Sequence, residues 1–97
     1  LRPMKFQVIA PDNKAAIDGE WFPVNLAAFG WHPAYHAVQF DGERGEVEWV
    51  APLGGAKPPN QVINRDQLTA MFGPLIEHTR TMLAAKHALE AAKAGGQ

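Results

Sequence analysis

The sequence predicts an α+β fold in which antiparallel β-hairpins, a meander of about four to five strands, precede a kinked C-terminal helix. Three observations support this prediction. An Asp-Gly pair at residues 18–19 separates two apolar runs, polar and apolar residues alternate within residues 36–50, and apolar residues recur at helical spacing after residue 64. The first two patterns are typical of hairpins and the third is typical of an amphipathic helix.

Composition limits the classes of function. The chain has 97 residues, enough for one domain with a single modest core. Its formal net charge is −1 and it has no basic stripe, so we expect no nucleic-acid partner. Its longest apolar runs are too short for a membrane span, so we expect no membrane partner. Residues 1–3 precede Met4, where we expect the natural chain to begin, and we place them outside the predicted fold.

The first strands are predicted from alternation and from one turn. Met4 to Ala10 alternates apolar and polar side chains and is predicted to be a strand. Residues 14–17 and 20–22 are predicted strands around Asp18-Gly19, because both central positions of a type I′ turn need positive φ. Pro23 has no N–H to donate, so the strand before it is predicted to lie at an edge or to end there.

An aromatic-rich segment at residues 25–35 follows. Gly30 and Pro33 interrupt it, so we predict a packed loop with a helical turn at Leu26 to Phe29. Large aromatic side chains in so small a chain usually belong to the core, but exposed ones could anchor a protein partner. The candidate protein-contact residues of this segment are Phe29, Trp31 and Tyr35.

The clearest pattern is a hairpin over residues 36–50. Its first strand is predicted to carry three side chains on one face: His36, Val38 and Phe40. Residues 41–45 are predicted to form the loop. The returning strand, residues 46–50, would direct Val47 and Trp49 inward and its glutamates toward water.

Residues 51–60 are rich in proline and glycine and are predicted to be a loop. We assign residues 4–60 to a β-hairpin region with its packed loop and residues 61–94 to a helical region, which together form one domain. Asn64 is the expected N-cap, because Gln67 follows three residues later as in a capping box.

The helical region is predicted to be divided at Gly73-Pro74, because proline disfavours helical geometry in the residue before it. We expect a short helix over residues 65–72, a kink, and a main helix over residues 74–94. Its apolar seam either packs on the chain's own sheet or joins a second copy through the alanine-rich distal half. Met82 and Leu89 complete the candidate protein-contact residues.

Few side chains offer catalytic or ligand-binding chemistry. Serine and cysteine are both absent, which excludes nucleophiles of these two types, and we expect neither an enzyme nor a cofactor. His32 and His36 have i,i+4 spacing, so the alternative hypothesis is a small ligand- or metal-binding module that uses both. Pro33 argues against the helix that this geometry needs, and a catalytic zinc needs three protein ligands.

A longer series of motifs resembles a known group of proteins. Asp18-Gly19 and residues 23–26 are followed by HAVQFDG at residues 36–42, GEVE at residues 45–48 and a Pro-Pro-Asn loop at residues 58–60. This order resembles small prophage proteins that are encoded among tail genes. Relatives in that group are described as tail-fibre assembly or tail-associated proteins.

The resemblance implies a non-enzymatic phage or prophage protein with a structural or assembly role. The expected partner is a phage tail protein or another phage structural protein. The apolar seam of the C-terminal helix indicates a second possible partner, another copy of the chain, in a homo-oligomer formed through that helix. The expected location is the bacterial host cytoplasm during assembly, or the virion. The group provides no catalytic residues to carry over.

Overall fold

A computed structural model describes residues 4–95, so the expectation for residues 1–3 lies outside the described residues. One α-helix covers one face of a six-stranded antiparallel sheet. The predicted α+β class is therefore confirmed, with slightly more strands than expected.

The elements follow one another along the chain in a simple order: β1 (Lys5–Ile9), β2 (Lys14–Ile17), β3 (Glu20–Pro23), a 3₁₀ turn (Leu26–Phe29), β4 (Tyr35–Asp41), β5 (Arg44–Trp49), β6 (Gln61–Asn64) and α1 (Arg65–Gly95). The strand order in the sheet is β3-β2-β1-β4-β5-β6, so β3 and β6 are its edges. The edge position of β3 and its end at Pro23 confirm the prediction made from that proline. The helical turn before Gly30 is also confirmed.

The turn between β2 and β3 has the predicted geometry. Asp18 has a φ of 51° and Gly19 a φ of 84°. Ile17 pairs with Glu20, so two residues close the hairpin, and both have the positive φ that a type I′ turn requires. A side-chain oxygen of Asp18 also accepts a hydrogen bond from the backbone N–H of Lys5 at 3.0 Å, which joins the turn to β1.

The second hairpin has a tighter turn than the predicted five-residue loop. Asp41 pairs with Arg44, so only Gly42 and Glu43 lie between the strands. Gly42 has a φ of 71°, a conformation that glycine adopts without steric cost. This freedom lets the chain reverse within two residues, and β5 therefore begins at Arg44 rather than at Glu46.

A β-bulge in β4 changes which side chains face the helix. The pairing of β4 with β5 shifts between Tyr35 and Ala37, so His36 is an extra residue in its strand. Strict alternation from Val38 would have placed Tyr35 on the face away from α1. Instead, the Tyr35 ring centroid lies 6.0 Å from that of Phe72 on the helix.

Strand β6 differs from the prediction, which assigned residues 61–94 to the helical region. Ile63 is 1% exposed and pairs with Gly45 of β5. The β region therefore extends to Asn64, and the helix begins at Arg65. A four-residue strand with one buried side chain is too short to show a period in the sequence.

The helix α1 is one continuous element of 31 residues, which corrects the prediction of two helices separated at Gly73-Pro74. Proline removes one backbone hydrogen bond, and its ring opposes helical geometry partly through the Cβ of the preceding residue. Gly73 has no Cβ, so that part of the obstacle is absent. Packing of the helix on the sheet on both sides of Pro74 supports its continuation.

The predicted capping box is confirmed. The N–H of Gln67 donates to Oδ1 of Asn64, and the N–H of Asn64 donates to Oε1 of Gln67, both at 2.8 Å. These two bonds satisfy backbone donors that a helix N-terminus leaves without partners.

The hydrophobic core lies between α1 and the inner face of the sheet. The strands contribute buried side chains to it: Phe6, Val8, Ala15, Val38, Phe40, Val47 and Ile63. The helix contributes the other side of the layer: Leu68, Phe72, Leu75 and Ile76, with Leu83 buried further along. Thr79 is fully buried among them, and its hydroxyl donates to the carbonyl of Leu75 at 2.8 Å.

Candidate protein-contact surface

The helix α1 crosses the sheet from one edge to the other. It begins directly after β6, and Lys86 and His87 reach Glu20 at the start of β3. At about 1.5 Å per residue the helix is ~46 Å long, whereas six strands about 4.8 Å apart span only ~24 Å. The helix is therefore longer than the sheet is wide, which agrees with a longest molecular dimension of 57 Å.

We call residues 84–95 the distal segment. Every residue in it is exposed, whereas Leu83 directly before it is 6% exposed. Leu89 is 58% exposed and is the one large apolar side chain in the segment. The remaining residues are mostly alanine with a few charges, so the segment has strong helix propensity but buries little surface within residues 4–95.

One polar contact fixes the point at which the distal segment leaves the sheet. Nε2 of His87 lies 2.7 Å from both carboxylate oxygens of Glu20. Nζ of Lys86 lies 3.7 Å from the same carboxylate. The hydrogen bond from His87 lowers the pKa of Glu20, partial desolvation opposes this, and the positive charges of His87 and Lys86 lower it further.

The two predicted contact residues on α1 have different environments. Met82 is half-buried at the end of the packed part of the helix, and Leu89 points into solvent from the distal segment. Leu89 is not part of the buried hydrophobic core. Of the two, Leu89 is the one whose apolar surface is available to a partner.

The three aromatic candidates are half-buried and pack against the core. The Phe29 ring centroid lies 4.7 Å from the imidazole of His78, and the Trp31 centroid lies 5.5 Å from that of Phe72. Nε1 of Trp31 donates to the backbone carbonyl of Tyr35 at 3.1 Å. These contacts reach α1 before the distal segment begins, so the aromatic candidates and Leu89 belong to separate surfaces.

Of the two histidines of the alternative hypothesis, His32 lies in the loop before β4 and His36 is the second residue of that strand. Nδ1 of His32 accepts a hydrogen bond from the N–H of Ala34 at 3.0 Å, and the His32 ring centroid lies 5.1 Å from that of Tyr35. His36 is the bulge residue of β4. Within residues 4–95, no group of three or more histidine, cysteine, aspartate or glutamate side chains could hold a metal ion.

The predicted loop at residues 51–60 is confirmed, and all of its residues are exposed. Nζ of Lys57 donates to Oε1 of Glu48 at 2.7 Å and so attaches the loop to β5. That hydrogen bond lowers the pKa of Glu48, partial desolvation opposes it, and the positive charges of Lys57 and His36 add to the lowering. Leu53 extends fully into solvent from the loop.

A groove of about 340 Å³ lies beside α1, next to the start of β1. It is lined mainly by helix residues and the neighbouring strand ends: Met4, Phe40, Gly42, Arg65, Leu68, Thr69, Gly73, Ile76, Glu77 and Arg80. Arg65 donates to the carbonyl of Gly42 and to Glu43. Arg80 donates to Glu77 and to the sulfur of Met4. Both guanidinium groups thus already have acceptors within the chain.

No helix in the described part of the chain is both long and apolar enough to cross a bilayer. Comparison of the chain with protein-family models, with curated proteins and with solved structures finds no match. What the protein does must therefore be inferred from its own residues and their arrangement.

Proposed function

We propose that the chain is a non-enzymatic phage or prophage protein, a tail-associated structural component or assembly factor that acts through protein–protein contacts. The distal segment of α1 supplies the contact surface. Its partner is a phage tail protein or another copy of the chain. The corresponding location is the host cytoplasm during assembly, or the virion.

The exposed distal segment is the observation that carries the protein-contact part of the proposal. A helical extension with a single exposed leucine gains little stability from its own domain, since most helical stability comes from packing of an apolar face. Packing against another protein would bury Leu89 together with the small alanine side chains around it. The Glu20–His87 contact holds the start of the segment in a fixed direction, which lowers the entropy cost of such binding.

The tail-associated part of the proposal is supported by the sequence motifs alone. Two of them, residues 36–42 and 45–48, form most of the central hairpin of β4 and β5. They support a shared β region with the small prophage proteins they resemble. The partner is carried over from that resemblance as a proposal.

Light scattering tests the self-association part. We expect the full chain at high concentration to contain more protomers per particle than a chain that ends at Leu83, each number being the mean mass divided by the mass of one chain. The full-length Leu89→Glu variant should match the shortened chain, because a charge at the contact must be desolvated. Glu77→Gln, on the exposed side of the packed part of α1, is the control. The same number of protomers per particle in the full and shortened chains would contradict self-association through the distal segment.

Deletion of the gene from the phage or prophage that encodes it tests the tail role. We expect particles with absent or incomplete tails, restored by the full chain but not by the Leu89→Glu variant. Electron microscopy of purified particles and the infectious titre are the measurements. Normal, infectious particles without the gene would contradict the proposed role.

A further inference from the structure

The two edges of the sheet differ in how well they are protected from pairing with another strand. At β3, Pro23 lacks an N–H, and Lys86 and His87 lie against Glu20. Prolines and charged groups are the usual protection of edge strands. The β6 edge, Gln61–Asn64, contains no proline and no charged residue.

Some backbone N–H and C=O groups of β6 point away from β5, toward the open edge of the sheet. The N–H of Asn64 donates to the side chain of Gln67, so it does not point toward β5. Along a strand, the N–H and C=O of residues two apart point the same way. The N–H and C=O of Val62 therefore point outward at the open edge, and the Val62 side chain is 47% exposed.

We propose that β6 pairs antiparallel with β6 of a second copy, about a twofold axis at Val62. An antiparallel partner supplies backbone donors and acceptors at the spacing that Val62 presents, and the two Val62 side chains lie directly opposite each other. Because β6 is uncharged, the pairing opposes no like charges. Asn60 of one copy lies opposite Asn64 of the other.

Pro58-Pro59 limits the paired region to about five residues on each strand. So short a contact buries less area than a stable dimer needs, so the pairing is weak and depends on concentration. It uses the edge opposite to the distal segment, because α1 runs from β6 toward β3. The two proposed contacts are therefore independent, and either can fail without the other.

Hydrogen exchange of the full chain tests the pairing directly. The backbone amide of Val62 is expected to exchange about tenfold more slowly in concentrated than in dilute protein, because pairing protects it. The amide of Trp21, on the other edge strand, is the internal control and should not change. An exchange rate at Val62 that does not depend on protein concentration would overturn the proposal.

A pair of substitutions at one position separates pairing from folding. Val62→Pro removes an N–H that the sheet of its own chain does not use, so the variant is expected to fold. In the Leu89→Glu background, where the distal-segment contact is absent, Val62→Pro should also abolish the concentration-dependent mass in sedimentation equilibrium. Val62→Thr keeps the N–H and a β-branched side chain and should pair like the natural chain. The chain that ends at Leu83 should also still pair. Undiminished pairing by Val62→Pro, or loss of pairing in the shortened chain, would overturn the proposal.

Discussion

Nε2 of His87 lies 2.7 Å from both carboxylate oxygens of Glu20, although 67 positions separate the two residues in the chain. The contact joins the edge strand β3 to the helix at the last point where the helix lies over the sheet. Glu20 is the only charged residue of β3. Because its carboxylate accepts the hydrogen bond from His87, the strength of the contact depends on the ionisation of Glu20.

The contribution of this contact is expected to disappear in acid. The pKa of Glu20 in the folded chain is lowered from its usual value of 4.5, chiefly by the hydrogen bond from His87. A lowered pKa in the folded state gives a contribution that is fully present above the unfolded value and is lost as the pH falls through the folded value.

Glu20→Gln tests this expectation. The difference in free energy of unfolding between the natural chain and the variant should be largest above pH 4.5 and should shrink toward zero below the lowered pKa of Glu20. Urea unfolding at several pH values measures it, with Glu77→Gln as the control at an exposed helix position. A difference that stays constant across the acid range would show that ionisation of Glu20 contributes nothing.

Gly45→Ala should destabilise the fold strongly. A Cβ at this position would lie 2.6 Å from Cα and 2.8 Å from Cδ2 of Phe40 on the neighbouring strand. The backbone of β4 cannot move away without disturbing the centre of the sheet, so we expect a loss of about 3 kcal/mol in the free energy of unfolding. Urea unfolding should show it, while Glu46→Ala on the exposed face nearby should change stability little. A loss below about 1 kcal/mol would mean that the two strands separate more easily than their packing indicates.

The same substitution should cost much more stability at one leucine of α1 than at another. Leu83→Ala removes a side chain that is 6% exposed and should cost about 2–4 kcal/mol of stability. Leu89→Ala removes one that is 58% exposed and should change monomer stability by less than about 0.5 kcal/mol. Thermal unfolding at low concentration compares them. Equal losses would mean that Leu89 packs within its own domain.

The capping box should behave as one unit. Asn64→Ala and Gln67→Ala each remove one of two reciprocal hydrogen bonds, and we expect each to cost about 1 kcal/mol. Because each side chain also orients the other, the double variant should lose less than the sum of the two single losses. Urea unfolding of the three variants measures the coupling. Strict additivity would show that the two bonds form independently.

Local patterns in the sequence were sufficient for much of the fold. The turn at Asp18-Gly19 follows from two backbone positions with positive φ, and the cap at Asn64 follows from a side chain that can reach its own helix. Pro23 located an edge because a missing N–H has no place in a central strand. Each of these features is decided by residues that are close together in the chain.

Features that depend on distant partners were not predicted. Strand β6 exists because Ile63 fills a space beside β5, and four residues carry too little pattern to indicate it. The continuous helix through Pro74 depends on the sheet that α1 packs against. The bulge at His36 is visible only once the pairing with β5 is known.

The candidate contact residues also differ in how far the sequence could predict their environment. Helical spacing placed Leu89 in the apolar seam, in the part after Leu83 where that seam thins to alanine, and the structure leaves its side chain 58% exposed. Phe29, Trp31 and Tyr35 could not be assigned to core or surface from the sequence, because an aromatic residue in a loop suits either. Their contacts with Phe72 and His78 come from the bulge and the turn that bring the segment onto α1.

The order of the strands has a consequence for how the chain folds. Each neighbouring pair in the sheet joins strands that follow one another in the sequence, with the exception of β1 and β4. The sheet thus consists of two three-stranded meanders, β1 to β3 and β4 to β6, which are joined by the pairing of β1 with β4. Local pairings close small loops and form quickly, so the meeting of β1 with β4 is the step that should limit the folding rate. Substitutions in β1 or β4 at their shared pairing should slow folding more than equally destabilising substitutions in the edge strands β3 and β6.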